Sequence, residues 1–188
     1  MGKRGELKEL LLIEGMKEIE RNGITGFSLR NVAKSCGVSC AAPYKHFHGK
    51  DDFLNEVILY IINEWHLIQD EIIKDTEKSD RELITQMCMS YVRFLSDNPH
   101  YRAILMLRDV NMPKEYLELR ARMSSVSHAL IERYCESVNM SPEAKKRKVY
   151  MIRTLIYGSA TMMNDDENYP EDALSYLQFT IEREFDIP

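Results

Sequence analysis

Residues 28–50 combine hydroxyl groups, positive charges and small side chains at spacings that suit contact with a polyanion. The hydroxyls of Ser28 and Tyr44 can donate hydrogen bonds to phosphate oxygens, and Arg30 and Lys50 can add positive charge. Lys45 adds a further positive charge. No nucleophile elbow, phosphate-binding glycine loop or dinucleotide fingerprint occurs in the chain, so this stretch favours binding over catalysis.

Two short helices and a tight turn are predicted to position these groups. Leu29 and Val32 fall on one helical face, and Ser28 can cap the helix through its hydroxyl. Gly37 can adopt the positive φ that often ends a helix, and Ser39 can cap the next one, whose first residues are small. This is the layout of a helix-turn-helix, although two helices meeting at a glycine can also be ordinary packing.

Residues from about 11 to 54, roughly a quarter of the chain, resemble the TetR family of bacterial transcriptional regulators. The runs AAPYKHF and GKDDFL are the most specific part of the resemblance. The matching residues are Gly15, Ile19, Gly23, Phe27, Ser28, Arg30, Val32, Ala33, Gly37, Val38, Ser39, Tyr44, His46, Phe47, Lys50 and Leu54.

The resemblance implies which residues contact DNA. The DNA-binding residues are predicted to be Ser28, Arg30, Ser39, Cys40, Ala41, Tyr44, Lys45, His46 and Lys50. Of these, Ser28, Arg30, Tyr44 and Lys50 are assigned to phosphates. Because Cys40 and Ala41 offer little hydrogen bonding, we expect contact with thymine methyl groups and a hydrogen bond from Lys45 to guanine. The alternative is that each side chain is simply solvated surface.

The charge distribution agrees with DNA binding at one end of the chain. The 188 residues carry a net charge of −5. Residues 1–50 hold nine Lys and Arg against five Glu, a net +4, whereas the remainder holds 16 Lys and Arg against 25 Asp and Glu, a net −9. A basic front on an acidic body is expected when only one end approaches phosphates, although chance asymmetry would look the same.

The sequence predicts the cytoplasm as the location. There is no signal peptide, and no stretch approaches the about 20 apolar residues of a membrane span. The four cysteines show no paired spacing, which is typical of reduced thiols. With the histidines they form no metal-binding motif, so we expect no metal and no cofactor.

Apolar periodicity predicts an all-α fold of about nine helices. The first helix is expected at about 6–21, a long helix at 51–75 and another at 115–137. The DNA-binding domain is predicted to span residues 1–50, closed by the start of the long helix, and a helical ligand-binding and dimerisation domain to span 51–188.

The middle helices are rich in aromatic residues and methionine, which fill irregular space and tolerate varied shapes. The predicted ligand-pocket residues are Trp65, Met87, Tyr91, Phe94, Tyr101, Met106 and Met123. The existence of a cavity is mainly what the resemblance implies, and most of these residues could be ordinary core.

The last two helices are the predicted dimer surface, since the resemblance implies that each chain contributes them to a four-helix bundle. The predicted interface residues are Ile152, Ile156, Ser159, Met163, Leu174, Leu177 and Ile181. The alternative is a face that packs within one chain.

The predicted function is a homodimeric transcriptional repressor that a small apolar or aromatic effector releases from a palindromic operator. The predicted partners are double-stranded DNA, a second copy and that effector, with no membrane. One alternative is a DNA-binding regulator that answers to a protein partner, and the other is a helical enzyme. The prediction is against an enzyme.

Overall fold

The computed structural model describes residues 3–106, 114–165 and 172–186. Within these ranges the chain forms nine α-helices, one short 3-10 helix and no β-strand, so the all-α prediction is confirmed. The helices are α1 (Lys3–Gly26), α2 (Leu29–Ser35), a 3-10 helix (Pro43–Lys45), α3 (Lys50–Ile73), α4 (Asp80–Asp97), α5 (Pro99–Leu105), α6 (Lys114–Met123), α7 (Ser125–Ser137), α8 (Pro142–Asp165) and α9 (Ala173–Asp186). In the described ranges, no helix combines the length and apolar character needed to cross a bilayer.

The chain divides into two compact units, and the division falls inside α3. The first unit is Met1–Glu64 with Asn98–Arg122, and the second is Trp65–Asp97 with Met123–Pro188. The functional division into domains 1–50 and 51–188 stays a prediction.

The core of the first unit forms around a close approach of α1 to a phenylalanine of α3. A Cβ built on Gly15 would lie 2.1 Å from Cζ of Phe53, so only glycine fits here. The Phe53 ring stacks on Phe27 and meets the edge of Phe47, with ring centroids 4.9 Å apart in both pairs. Since Phe47 directly follows the predicted DNA-contacting residues, this cluster anchors that segment to the core.

In the second unit α4 packs against α7, α8 and α9, and α8 packs against α9. The hydroxyl of Tyr134 on α7 donates to the Phe185 carbonyl in the last turn of α9, at 2.8 Å. Lys148 on α8 is only 3% exposed, and its ammonium donates to the Glu184 carbonyl. These two bonds satisfy carbonyls that the end of α9 leaves without helical partners.

The helix predicted at 115–137 is two helices, because the backbone at Ser124 (φ −98°, ψ 2°) leaves helical geometry between α6 and α7. Serine hydroxyls compete with the helix for backbone hydrogen bonds, and Ser125 and Ser127 follow at once. The apolar spacing continues through this break, which is why periodicity alone predicts a single helix.

Candidate nucleic-acid interface

The short helix α2 presents one apolar and one polar face. Leu29, Val32 and Ala33 are buried, with exposures of 6%, 0% and 0%, as the sequence pattern predicts. Arg30 and Asn31 lie on the exposed side. The charge of Arg30 is therefore available to a ligand.

The turn after α2 is a Schellman motif built on Gly37, whose φ is +65°. The Val38 amide donates to the Ala33 carbonyl at 3.0 Å, and the Gly37 amide donates to the Lys34 carbonyl at 3.1 Å. The positive φ favours glycine at this position, so the predicted role of Gly37 is the observed one.

The reading segment, residues 39–46, is not the regular second helix that the sequence predicts. It consists of tight turns and the 3-10 helix Pro43–Lys45. An α-helix capped by Ser39 would need the amide of residue 43 as the first donor to the Ser39 carbonyl, and proline has no amide hydrogen. Instead, the Ala42 amide donates to Ser39 at 2.9 Å.

Most side chains of the reading segment are exposed. Ser39, Cys40, Ala41 and Lys45 are exposed. The Tyr44 side chain is also outward, at 53% exposure. Pro43 is buried, and His46 is half-buried with its ring 6.1 Å from that of Phe47. Small and polar groups of this segment are thus accessible to a ligand, while the proline between them is buried.

Two residues assigned to phosphates behave differently from expectation. The predicted cap at Ser28 is absent, because its hydroxyl makes no capping hydrogen bond and only its carbonyl accepts from the Val32 amide, at 3.1 Å. The Lys50 ammonium donates to the Ile24 carbonyl near the end of α1. Replacing Lys50 would therefore remove a structural bond as well as a charge.

Sequence reasoning missed a buried carboxylate that supports this surface. Glu18 on α1 is 5% exposed, and its carboxylate accepts a hydrogen bond from the Asn31 side-chain amide at 2.9 Å. The Arg21 guanidinium lies 3.8 Å from the second carboxylate oxygen. A carboxylate on the apolar stripe of α1 was the available signal, because a buried charge requires a partner. Glu18 fixes the Asn31 side chain on α2.

The predicted ligand-pocket residues fall into both units. In the second unit, the Trp65 ring lies 4.7 Å from Tyr91 and 5.4 Å from Phe94, and the Tyr91 hydroxyl is 3.9 Å from the Met123 sulfur. Met87 is buried in the same unit. Tyr101 and Met106 belong to the first unit, where the Tyr101 ring contacts those of His100 and Tyr60. The pocket stays a prediction.

The predicted dimer residues are largely inside the single chain. Ile152, Ile156, Leu177 and Ile181 are 0–7% exposed, whereas Ser159, Met163 and Leu174 are half-buried. The outward side of α8 and α9 carries other large apolar residues, and the dimer surface stays a prediction. The most exposed are Tyr150, Met162, Tyr176 and Phe179.

In the part of the chain that the structure describes, no group of three or more His, Cys, Asp or Glu could hold a metal ion.

Comparison with known proteins points to one family. Residues 11–57 match the family described as bacterial regulatory proteins, tetR family. The fold is similar to FadR from Bacillus subtilis, a transcriptional regulator solved with stearoyl-CoA, with a TM-score of 0.76, 15% identity and coverage of 94% of this chain and 96% of that one. PfmR from Thermus thermophilus, a TetR-family regulator, is also similar, with a TM-score of 0.65, 17% identity and coverage of 94% of this chain and 97% of that one. A TetR-family regulator from Bordetella parapertussis has a TM-score of 0.72 and 9% identity, with coverage of 95% of this chain and 93% of that one. No curated protein sequence matches the chain.

The exposed reading segment, supported by α1 and α2 in an all-helical chain, defines a DNA-binding transcriptional regulator of the helix-turn-helix class. The match over residues 11–57 assigns that part of the chain to the tetR family of bacterial regulatory proteins.

Proposed function

We propose that the chain represses transcription by binding a palindromic operator as a homodimer, and that a small apolar effector releases it. The observation that carries the proposal is the exposed opening of the reading segment. Ser39, Cys40 and Ala41 face solvent, so no large side chain holds this backbone away from base edges. Phosphate contacts from Ser28 and Arg30 would fix the orientation of the segment on the duplex.

The thiol of Cys40 offers a direct test of the base-contact role. Cys40 is exposed, whereas burial raises the pKa of the half-buried Cys36 thiol and raises the pKa of the buried Cys88 thiol to about 12. We expect iodoacetamide to alkylate Cys40 first, since the thiolate is the nucleophile and exposure gives access. Saturating operator DNA is expected to slow this reaction several-fold, measured by peptide mass spectrometry. Equal Cys40 labelling with and without bound operator would contradict the base-contact role.

Arg30 tests the phosphate contacts. Arg30→Gln is expected to weaken binding to operator and unrelated DNA alike, and to reduce the slope of log K against log salt by about 1. Lys146→Gln removes an exposed cation of α8 and is the matched control, with no change of slope expected. Fluorescence anisotropy across a salt series measures both variants. A loss confined to the operator sequence would assign Arg30 to base recognition instead.

Dimerisation gives this small interface its affinity and its symmetry. A twofold dimer places two reading segments on half-sites about 34–36 Å apart, or a multiple of that distance. The outward face of α8 and α9 supports this assembly, because Met162, Tyr176 and Phe179 are 54–61% exposed there. Exposed apolar side chains mark an interaction surface where they form one patch, which is what the proposed dimer requires of this face. Gly158 lies on the same side of α8, and a Cβ there would meet nothing within 4 Å, so a partner helix can approach closely.

The aromatic core of the second unit supports the effector proposal. Trp65 packs against Tyr91 and Phe94, so an effector that bound among these rings would displace side chains. One turn beyond Trp65, Gln69 is fully buried and donates to the Ser127 hydroxyl at 3.3 Å. The side-chain oxygen of Gln69 has no hydrogen-bond partner in the described structure, and a bound donor would remove that cost.

An apolar effector with a polar head is therefore expected to stabilise the protein, and long-chain acyl compounds are the first class to test because the similar FadR structure holds stearoyl-CoA. At 100 times its dissociation constant, a ligand adds about 2.7 kcal/mol, or roughly 5–10 °C in Tm for a chain of this size. Gln69→Leu is expected to weaken binding of the polar-headed compound by about tenfold or more, while the matching hydrocarbon binds no worse. If no compound of a lipophilic panel raises Tm, regulation by a protein partner replaces this proposal.

A further inference from the structure

A polar groove of about 420 Å³ runs between α4 and α9, within the second unit. Its walls include Thr85, Gln86, Met89 and Arg93 of α4, and Gln178 and Glu182 of α9. The volume lies within the range of small-molecule sites, about 300–1,000 Å³. The groove is large enough for a small metabolite.

The groove is separate from the aromatic cluster. Met89 lines the groove, while Tyr91, two residues later, packs against Trp65. With 3.6 residues per turn, the two side chains leave α4 about 160° apart. A ligand in the groove would therefore lie on the opposite side of α4 from the proposed apolar effector.

Existing hydrogen bonds make part of the groove wall rigid. The Lys78 ammonium donates to the Gln86 side chain at 2.8 Å and lies 3.0 Å from the Asp75 carboxylate. On the opposite wall, the Gln178 amide donates to the Glu182 carboxylate at 2.9 Å. These groups are oriented before any ligand binds, which lowers the entropy lost on binding.

Two polar side chains of α4, Thr85 and Arg93, do not take part in these hydrogen bonds. Thr85 is 6% exposed, and its buried hydroxyl has no hydrogen-bond partner in the described structure. A buried hydroxyl without a partner costs about 1–3 kcal/mol. Arg93 is exposed and makes no hydrogen bond or ion pair with another described residue. Eight residues of helix separate Thr85 from Arg93, about 12 Å along the axis, which a flexible arginine can shorten.

The charges of the lining set the sign of the ligand. Lys78, Arg81 and Arg93 contribute three positive charges, and Glu82 and Glu182 contribute two negative ones. Lys78 is paired with Asp75 and Arg81 donates to the Glu182 carbonyl, so Arg93 offers its positive charge to an anion, and the two carboxylates would repel a highly charged one. The hydroxyl and amide groups between these charges suit a ligand that carries hydroxyls of its own.

We propose that this groove binds a small hydroxylated oxyanion, a phosphate ester or carboxylate of a polyol, with Arg93 on the oxyanion and Thr85 on a ligand hydroxyl. The Arg93 guanidinium can hold the oxyanion through two parallel hydrogen bonds. The Thr85 hydroxyl is buried beneath the groove surface and would rotate toward the ligand to gain the partner that it lacks in the free protein. This site depends neither on the operator nor on the apolar effector.

Isothermal titration of the full-length protein with glucose 6-phosphate, gluconate, inorganic phosphate and glucose tests the proposal, at matched ionic strength. We expect at least one of the first two probes to bind at least tenfold more tightly than inorganic phosphate, and glucose not to bind. Whichever of glucose 6-phosphate and gluconate binds more tightly identifies the preferred oxyanion as a phosphate ester or a carboxylate. Failure of both glucose 6-phosphate and gluconate to bind would overturn the proposal.

Variants separate the two anchors. Arg93→Gln is expected to lower the affinity for the hydroxylated anion and for inorganic phosphate alike, by tenfold or more. Thr85→Val keeps the shape of the side chain and removes its hydroxyl. It is expected to lower the affinity for the hydroxylated anion only, and not to lower Tm. Lys146→Gln, on α8, is the control and is expected to leave all affinities unchanged. Unchanged affinity in both groove variants would overturn the assignment of the site.

Discussion

Phe179→Glu is expected to convert the proposed dimer to monomers and to abolish operator binding at concentrations where the parent protein is saturated. Phe179 is 61% exposed on α9, beside Tyr176 at 60%, and the Arg183 guanidinium lies 5.7 Å from its ring. Aromatic and arginine side chains are enriched at protein interfaces. Truncating an interface aromatic costs about 2 kcal/mol or more.

Symmetry enlarges this effect. In a twofold dimer each substitution occurs twice, so the expected loss is about 4 kcal/mol, or roughly a thousandfold in the dimer dissociation constant. Burying a carboxylate without a partner adds to that loss. Sedimentation equilibrium measures the dimer directly, and anisotropy with operator DNA measures the consequence.

Leu67→Glu is the matched control, because Leu67 is 63% exposed on α3 and lies outside the α8–α9 face. It places the same charge on a residue of nearly equal exposure, and we expect the dimer and its operator affinity to persist. If Phe179→Glu and Tyr176→Glu both remain dimeric, the partner binds another face. If the monomeric variant still binds operator with parental affinity, dimerisation is not what gives the affinity.

The dimer surface shows what periodicity can and cannot predict. The sequence pattern selects the most regular apolar stripes of α8 and α9, which include Ile152, Ile156 and Leu177, and these stripes pack inside the chain. The outward residues, such as Tyr176 and Phe179, are as apolar but follow a second stripe. In a dimer, a helix with apolar residues on two sides can pack one side against its own chain and the other against the partner. The sequence of the helix does not say which side packs against which.

The reading segment shows a different limit. Residue types predict the turn at Gly37 and the small exposed residues after Ser39, because both follow from local chemistry. Pro43 fits the first turn of a helix, but the structure forms a 3-10 turn there. The buried pair of Glu18 and Asn31 joins two helices 13 residues apart in sequence, and only the folded chain shows that contact.

Gly15→Ala is expected to destabilise the first unit although alanine is the better helix former. The new Cβ would lie 2.1 Å from Cζ of Phe53 and 2.9 Å from Cε1. The ring has little freedom to move, since Phe27 stacks on it and Phe47 meets its edge. Overpacking costs about 1–3 kcal/mol, against a gain of about 1 kcal/mol in helix propensity. The net loss of up to roughly 2 kcal/mol corresponds to up to about 8 °C in Tm.

Gly5→Ala is the matched control on the same helix, because a Cβ at Gly5 would meet nothing within 4 Å. It is expected to leave stability unchanged or to raise it by up to about 1 kcal/mol. Phe53→Leu loses ring contacts by itself, but in the Gly15→Ala background it also relieves the clash. The double variant is therefore expected to be more stable than the sum of the two single effects by at least about 1 kcal/mol.

Urea unfolding followed by circular dichroism measures the four variants, and hydrogen exchange of the α1 amides localises the effect to the first unit. Additive effects of Gly15→Ala and Phe53→Leu would show that the ring of Phe53 is not what excludes a side chain at residue 15. Coupled effects would indicate that the packing of the Phe53 ring also supports the reading segment, because Phe47, which directly follows that segment, packs on the same ring. The operator affinity of Gly15→Ala is then expected to fall together with its stability, and to recover in the double variant.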